Sequence, residues 1–390
     1  MQATSPKKVL LLTDWYLPGF RAGGPIRSCA NLVNALKNDC EFFVLTREFD
    51  LGEKKPYANI QSDIWVTTEP NVHIYYASQK QLRLDKLAKL LASVAFDTVY
   101  LNSMYSLYFT IFPLLIFKGR AYKDKKVVLA PRGMLAKGAM SVKSKKKEFF
   151  IRFFKFSGIQ RKIIFQATDQ QELLDIQRIF GLDTAVITLN NFPGSGAQYR
   201  SIIKKTGILK LICVSRVSPE KNILGLIAFL AQVRLTGGEE IQMDVYGALP
   251  PTAYVEQCKD TIQFVPSNIR VSFKGELNHE SLLETLIQYH FFILPTLGEN
   301  FGHAIFEAMS AGRPVIISDR TPWKDLETKK VGWDIPLDKP EAFVEIIQQC
   351  CQMGQAEYNS LSIAAWEFAK GYHSSVNLKD NYIDLFSKEV

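Results

Sequence analysis

Short, wholly apolar runs recur along the first half of the chain, separated by stretches whose apolar residues repeat every three or four positions. Lys7–Thr13 (KKVLLLT), 41–46 (EFFVLT), 72–76, 98–101 (TVYL), Lys126–Ala130 (KVVLA), 162–167 and 186–189 read as buried strands. Between them, 28–36 puts Ala30, Leu32, Val33 and Leu36 on one face, and 82–95, 106–117 and 169–180 show the same helical spacing. Residues 51–70 are polar and lack a period. Strands alternating with helices predict a parallel α/β layer.

The alternation breaks at 190–196 (NNFPGSG), where proline and glycine cluster, and then restarts. Strands are predicted at 209–217, 242–246, 271–273, Phe291–Leu294 and 315–317. Helices are predicted from Pro219, at 281–288, after Gly302, at 342–350, 360–369 and 377–388. The chain is therefore expected to be α/β, with two doubly wound parallel-sheet, Rossmann-like domains facing across a cleft. The expected boundaries are 1–192, 193–372, and a terminal helix at 373–390 that crosses back to the first domain. A gap between two such domains is a common ligand site.

Composition narrows the class. The 390 residues are 47% apolar and 22% charged, as in a soluble globular protein of two or three domains. No apolar run approaches the ~18 residues a spanning helix needs. The longest, 107–117, contains Pro113 and reads as a buried helix. The N-terminal run stops at Asp14, too soon for a secretory leader. Six cysteines without a CxxC, most inside apolar elements, read as core residues in a reducing compartment. The five histidines lack metal-ligand spacing, which argues against a zinc site.

Charge is unevenly placed. Residues 118–162 hold 15 Lys/Arg against two Asp/Glu, a net of +13, so the remainder of the chain is at −5. Inside this span, 142–156 (VKSKKKEFFIRFFKF) forms a basic amphipathic helix. Phe149, Phe150, Phe153, Phe154 and Phe156 stand on one stripe; Lys145, Glu148, Arg152 and Lys155 stand on the other. Such a helix either lies on an anionic membrane surface or docks its aromatic side into its own domain. Basic residues interleaved with aromatics also suit single-stranded nucleic acid, but the other features point to a small-molecule cleft, and no nucleic-acid partner is expected.

Candidate chemistry sits at strand ends, where parallel sheets bind ligands. Arg216 ends a strand and Lys221 opens the next helix; two fixed cations there suit a diphosphate leaving group without a metal. The stretch 291–319 (FFILPTLGENFGHAIFEAMSAGRPVIISD) places Glu299 in a loop and Glu307 in a helix. A carboxylate accepts hydrogen bonds from vicinal hydroxyls. The amides of Asn300, Phe301, Gly302 and His303 lie near that helix's N-terminus. In the first half, Gly23 and Gly24 of GFRAGG serve either close backbone approach to a phosphate or a tight turn. Arg132 of PRGMLAKGAM either meets an anion at the sheet edge or is solvated.

These motifs resemble the retaining nucleotide-sugar glycosyltransferases of the GT-B fold, family 4 or group 1. The resemblance rests on the E-x7-E spacing of Glu299 and Glu307, on PT-x2-ENFG, EAMSAGRPVI, VSRVSPEKN and VYG, and on GGPIRS at 23–28. It implies that Glu307 binds ribose hydroxyls and Glu299 hydroxyls of the transferred sugar. Arg216 and Lys221 would neutralise the departing diphosphate, and the amides of 301–303 would touch sugar or phosphate. Gly23, Gly24 and Arg27 would face the donor phosphates. No cofactor or metal is implied, and anomeric configuration would be retained. The first domain would bind acceptor and the second a UDP- or GDP-sugar. Asn300 and Ser215 depart from glycines usual in the family, and Asn102 and Ser103 stand where many members place a histidine. PRGMLAKGAM and the basic helix are similar to members that build bacterial surface polysaccharides on lipid-linked acceptors, which implies a cytoplasmic protein, peripheral on the inner face of the plasma membrane. A nucleotide-sugar epimerase, a glycan phosphorylase and a non-catalytic scaffold are the alternatives.

Overall fold

The computed structural model describes residues 6–119, 122–141, 144–375 and 377–387. The chain divides into two compact units, 1–192 with 377–390, and 193–376.

The first unit runs β1 (Lys7–Thr13), α1 (Gly24–Leu36), β2 (Cys40–Arg47), β3 (Trp65–Glu69), β4 (Val72–Ala77), α2 (Leu84–Ala92) and β5 (Thr98–Asn102). A π-helical turn, Leu107–Ile111, continues into α3 (Phe112–Ile116). Then come β6 (Lys126–Ala130), α4 (Lys137–Ser141), α5 (Ser144–Phe156), β7 (Ile164–Ala167), α6 (Gln170–Phe180) and β8 (Val186–Thr188). The sheet order is β3-β4-β2-β1-β5-β6-β7-β8, and every pairing is parallel except β3 with β4. The central strand β1 is covered on both faces, so Val9 to Leu12 are wholly buried and show no alternation. β3 is the converse case: an exposed edge strand within the stretch expected to be irregular, and too solvated to carry a pattern. α1 begins earlier than its apolar spacing indicates, because Gly23 caps it and Pro25 fits its first turn. The terminal helix Leu378–Ser387 packs on this unit. Thr98 Oγ1 donates to the Phe386 carbonyl at 3.0 Å, and the Tyr382 hydroxyl to that of Asn190 at 3.2 Å.

The expected single aromatic stripe on α5 is split. Ile151 and Phe154 are buried in the core, whereas Phe149, Phe153 and Phe156 are 75%, 46% and 93% exposed. Residues 142 and 143 of that expected helix lie outside the described residues.

The second unit runs β9 (Ile208–Val214), α7 (Ile223–Gln232), β10 (Glu240–Tyr246), α8 (Ala253–Thr261), β11 (Ile269–Gly275) and α9 (His279–Leu286). It continues through β12 (Phe291–Leu294), α10 (His303–Ser310), β13 (Val315–Ser318), β14 (Gly332–Ile335), α11 (Pro340–Gln352) and α12 (Gln355–Ser375). Its sheet is parallel throughout in the order β11-β10-β9-β12-β13-β14, the dinucleotide-fold order with its switch point between β9 and β12. Pro219 does not open α7 as expected. It starts a 3₁₀ turn, Pro219–Lys221, and the left-handed Asn222 (φ 54°) intervenes before the helix. Two elements have no counterpart in the expected pattern: α8, which buries only Val255 and Cys258, and β14, a four-residue edge strand.

Buried polar groups in this unit are used as ties. Arg313, in the loop before β13, is 0% exposed. Its Nε donates to the Ala311 carbonyl and its Nη1 to that of Tyr289, both at 3.0 Å, while Nη2 donates to Arg200. His290 donates from Nε2 to the Ile203 carbonyl at 3.0 Å and accepts the Lys210 amide on Nδ1 at 3.0 Å. Burial lowers its pKa to about 4, so it is a neutral core residue. All six cysteines are free and buried, and burial pushes the thiols of Cys29, Cys40 and Cys351 up to about 11.

Arg313→Met would leave three carbonyls without their donor. At about 1 kcal/mol or more for each lost bond, the variant is expected to unfold with about 3 kcal/mol less stability in urea titrations.

Candidate functional site

The switch point sets what can meet. β9 and β12 pair directly, with Phe291 opposite Leu211 and Phe292 opposite Ile212. The loops leaving their carboxyl ends therefore lie side by side. The seam is closed by the Glu220 carbonyl, which accepts the Leu297 amide at 2.8 Å and the Thr296 hydroxyl at 3.0 Å. Across it, Lys221 Nζ donates to Glu299 Oε1 at 2.5 Å, with the two side chains 20% and 14% exposed. Two residues identified from sequence thus meet directly.

Arg216 is exposed and has no hydrogen bond or ion pair among the described residues. Its backbone is set by Gly247. The Ser215 amide bonds the Tyr246 carbonyl at 2.9 Å and the Val217 amide that of Ala248 at 3.1 Å. A Cβ on Gly247 (φ 151°) would stand 1.9 Å from the Ser215 carbonyl oxygen. Glu220 lies close to both cations. Its carboxyl is held below the ordinary value by its own backbone N–H first, and further by the charges of Arg216 and Lys221. Both charges thus act on Glu220, while the direct ion pair of Lys221 is with Glu299.

The loop after β12 is held from behind. The Glu299 amide donates to the Arg320 carbonyl at 3.0 Å, and Trp323 Nε1 to the Phe301 carbonyl at 2.6 Å. Phe301 is buried between His303, Phe306 and Trp323. Gly302 caps α10 in the left-handed region (φ 75°), where a Cβ would press to 2.8 Å against Ile305. That turn places the first amides of α10 at the carboxyl end of β12. Asn300 is half-buried and His303 buried beside them.

Glu307, one turn into α10, is not bonded to the Lys221–Glu299 pair. Its Oε1 lies 3.1 Å from His279 Nε2, on the first residue of α9. Gly194 also lies near it, where a Cβ would be 3.8 Å from Oε1. The spacing of His279 suits no metal and does not mark it as a site residue. Its signal was a histidine opening a helix just after a strand's carboxyl end.

In the first unit, Gly23 (φ 66°) caps α1, placing Gly24 and Arg27 in the first turn; Arg27 is half-buried. Arg132 follows β6 as expected, but its guanidinium is bonded to protein on every nitrogen. Nε donates to Asn102 Oδ1 at 2.6 Å, Nη2 to the Tyr100 hydroxyl at 2.7 Å, and Nη1 to Asn191 Oδ1. The group expected to receive an anion serves here as a brace between β5, β6 and the segment ending the unit. Asn102, at the position of the absent histidine, is buried and also donates to Thr13 Oγ1 at 3.2 Å.

Residues 198–365 match the family model described as Glycosyl transferases group 1, a span that includes Arg216, Lys221, His279, Glu299 and Glu307. The chain is similar in structure to sucrose-phosphate synthase from Thermosynechococcus elongatus, with 16% identity, 97% of this chain and 98% of that one covered, and a TM-score of 0.72. It is also similar to HepE from Anabaena in complex with UDP and glucose (15% identity, 98% and 99% covered, TM-score 0.69). A third similar structure is a glycosyltransferase from Rickettsia africae (11% identity, 99% and 100% covered, TM-score 0.65). No curated protein matches the sequence. Two parallel α/β units and these neighbours define a GT-B, Rossmann-like fold.

Gly247→Ala is expected to cost several degrees of melting temperature in calorimetry, because its Cβ meets backbone rather than a side chain that could yield.

Proposed function

We propose that this protein is a glycosyltransferase. It moves a hexose from a UDP- or GDP-sugar, with retention, to a lipid-linked oligosaccharide in surface-polysaccharide assembly. The observation that carries the reading is the Lys221–Glu299 pair beside Arg216 at the switch point, inside the span that matches the group 1 model. Supporting it, the similar HepE structure holds UDP and glucose.

In the proposed reaction the bond between the sugar's anomeric carbon and the diphosphate oxygen breaks, and that oxygen keeps the electron pair. The acceptor hydroxyl adds to the same face and its proton passes to the departing phosphate. Arg216 and Lys221 receive the developing negative charge, a task for which fixed cations suffice without a metal. Glu299 holds sugar hydroxyls, Glu307 the ribose diol, and the amides of Asn300, Phe301, Gly302 and His303 the remaining oxygens. Gly23, Gly24 and Arg27 are assigned to substrate in the first unit. Arg132 acts in that unit through the residues it braces.

No helix among the described residues is long and apolar enough to cross a membrane. The lipid-linked acceptor is supported by α5. Three phenylalanines exposed among lysines cost free energy in water, and they suit the boundary of an anionic bilayer on a cytoplasmic face.

Glu307→Ala is expected to weaken UDP or GDP binding at least tenfold by calorimetry. Arg216→Ala should lower kcat on the sugar donor about a hundredfold while changing nucleotide affinity far less. Full activity in both variants would refute the assignment, and turnover of donor without acceptor into its epimer would favour the epimerase instead. Replacing Phe149, Phe153 and Phe156 together with serine should abolish co-sedimentation with phosphatidylglycerol vesicles and leave the melting temperature nearly unchanged.

A further inference from the structure

Glu307 is only 14% exposed, and one of its oxygens is already engaged by a ring from another element. An ionised carboxylate is an acceptor only, so the proton in this contact sits on His279 Nε2, which donates to Oε1. The bond spans 28 residues and ties the N-terminus of α9, beyond β11, to α10, beyond β12. On its own helix His279 sits directly after the cap, with Asn278 Oδ1 accepting the Ser281 amide at 2.9 Å, so the backbone that carries the ring is fixed. The ring itself is 41% exposed. A half-exposed histidine paired to a carboxylate adds little to fold stability. It does fix the rotation of that carboxylate. His279 engages Oε1, the backbone of Gly194 lies near that oxygen without a side chain to cover it, and no bond among the described residues engages Oε2, which is left for an incoming hydroxyl.

We propose that His279 is a positioning residue of the nucleoside site: it locks the Glu307 carboxylate in the one orientation that accepts both hydroxyls of a ribose diol. This rests on Glu307 reading the ribose, as argued above. The inference concerns a vicinal diol, whatever base the nucleotide carries. It makes the contribution of the ribose 2′-hydroxyl depend on a side chain that does not itself touch that hydroxyl.

The test is a cycle between a protein change and a ligand change. UDP, GDP and their 2′-deoxy forms are titrated calorimetrically against the full chain and its His279→Ala and His279→Gln variants. With whichever nucleotide binds, the wild type should lose about tenfold in affinity when the 2′-hydroxyl is removed. His279→Ala should weaken the ribonucleotide about tenfold and the deoxynucleotide less than twofold, erasing the discrimination. His279→Gln keeps an N–H donor and should restore most of it. In turnover, His279→Ala should raise the donor KM and leave kcat unchanged.

The failures are separable. A wild type that binds ribo- and deoxynucleotide alike, or binds neither, overturns the diol reading of Glu307 and the proposal with it. A wild type that discriminates, with a His279→Ala variant that discriminates equally, overturns the proposal alone. So does an equal loss of both ligands in His279→Ala, which would place the ring's effect elsewhere. Melting curves of both variants are expected to match the wild type, since the ring is half exposed and outside the core.

Discussion

The site depends on a single pairing, β12 laid against β9. Strands adjacent in that sheet are distant in sequence, because two crossovers go to β10 and β11 on one side before the chain returns to the other. The pairing is short, two residue pairs, yet it decides that the loop carrying Arg216 and Lys221 emerges beside the loop carrying Glu299. The Glu220 carbonyl then holds the second loop by a backbone amide and a hydroxyl. β12 itself is wholly apolar and buried on both faces, so it contributes core and no functional side chain. Core packing thus specifies the site's geometry, and the functional side chains contribute little to it.

Arg313, fully buried, and Arg132, half-buried, show how much of the remainder rests on cations bonded within the protein. Each is an arginine in a loop joined to a strand of its sheet, and each spends its planar fork on protein partners from separate segments. Arginine suits this because its charge is delocalised and its donors are fixed in one plane, so less is lost per bond formed than with lysine. In the second unit the partners are carbonyls that strands and helices leave unused. In the first they are Asn102, at the end of β5, with Tyr100 and Asn191. Asn102 is therefore packed and bonded on both sides, to Arg132 and to Thr13.

How much of this was legible follows from the range of each contact. Strand runs were readable because a strand buried on both faces has no polar interruption. Glu299 and Glu307 were readable because glycines and a proline mark the bends around them. Arg132 was correctly placed after β6, but its partners lie 30 and 59 residues away, and nothing in local spacing reports such distances. Phe149, Phe153 and Phe156 were grouped with Phe150 and Phe154 because spacing alone does not say which side of a wide aromatic stripe faces the core. His279 was unreadable as a site residue for the same reason as the Arg132 brace: its partner sits on another crossover. β3 and α8 were missed because shallow burial leaves no period to detect.

Both carboxylates of the candidate site are paired before any ligand arrives, Glu299 with Lys221 and Glu307 with His279. Partly exposed pairs of this kind contribute about 1 kcal/mol or less to folding, well below the tie made by Arg313, so stability does not explain them. Orientation does: Lys221 and His279 each engage one oxygen of their carboxylate and, under the proposed function, leave the other to a hydroxyl. For Lys221 the pairing has a second consequence under the proposed reaction. A diphosphate that gains charge as its bond to the sugar breaks draws on the same ammonium group. At an effective dielectric of ~20, a unit charge 4 Å away is worth about 4 kcal/mol. The lysine is shared with Glu299 in the ground state and drawn toward phosphate as charge develops. Its interaction with the leaving group is therefore stronger in the transition state than before it, which is the condition for an interaction to accelerate a reaction rather than merely tighten binding.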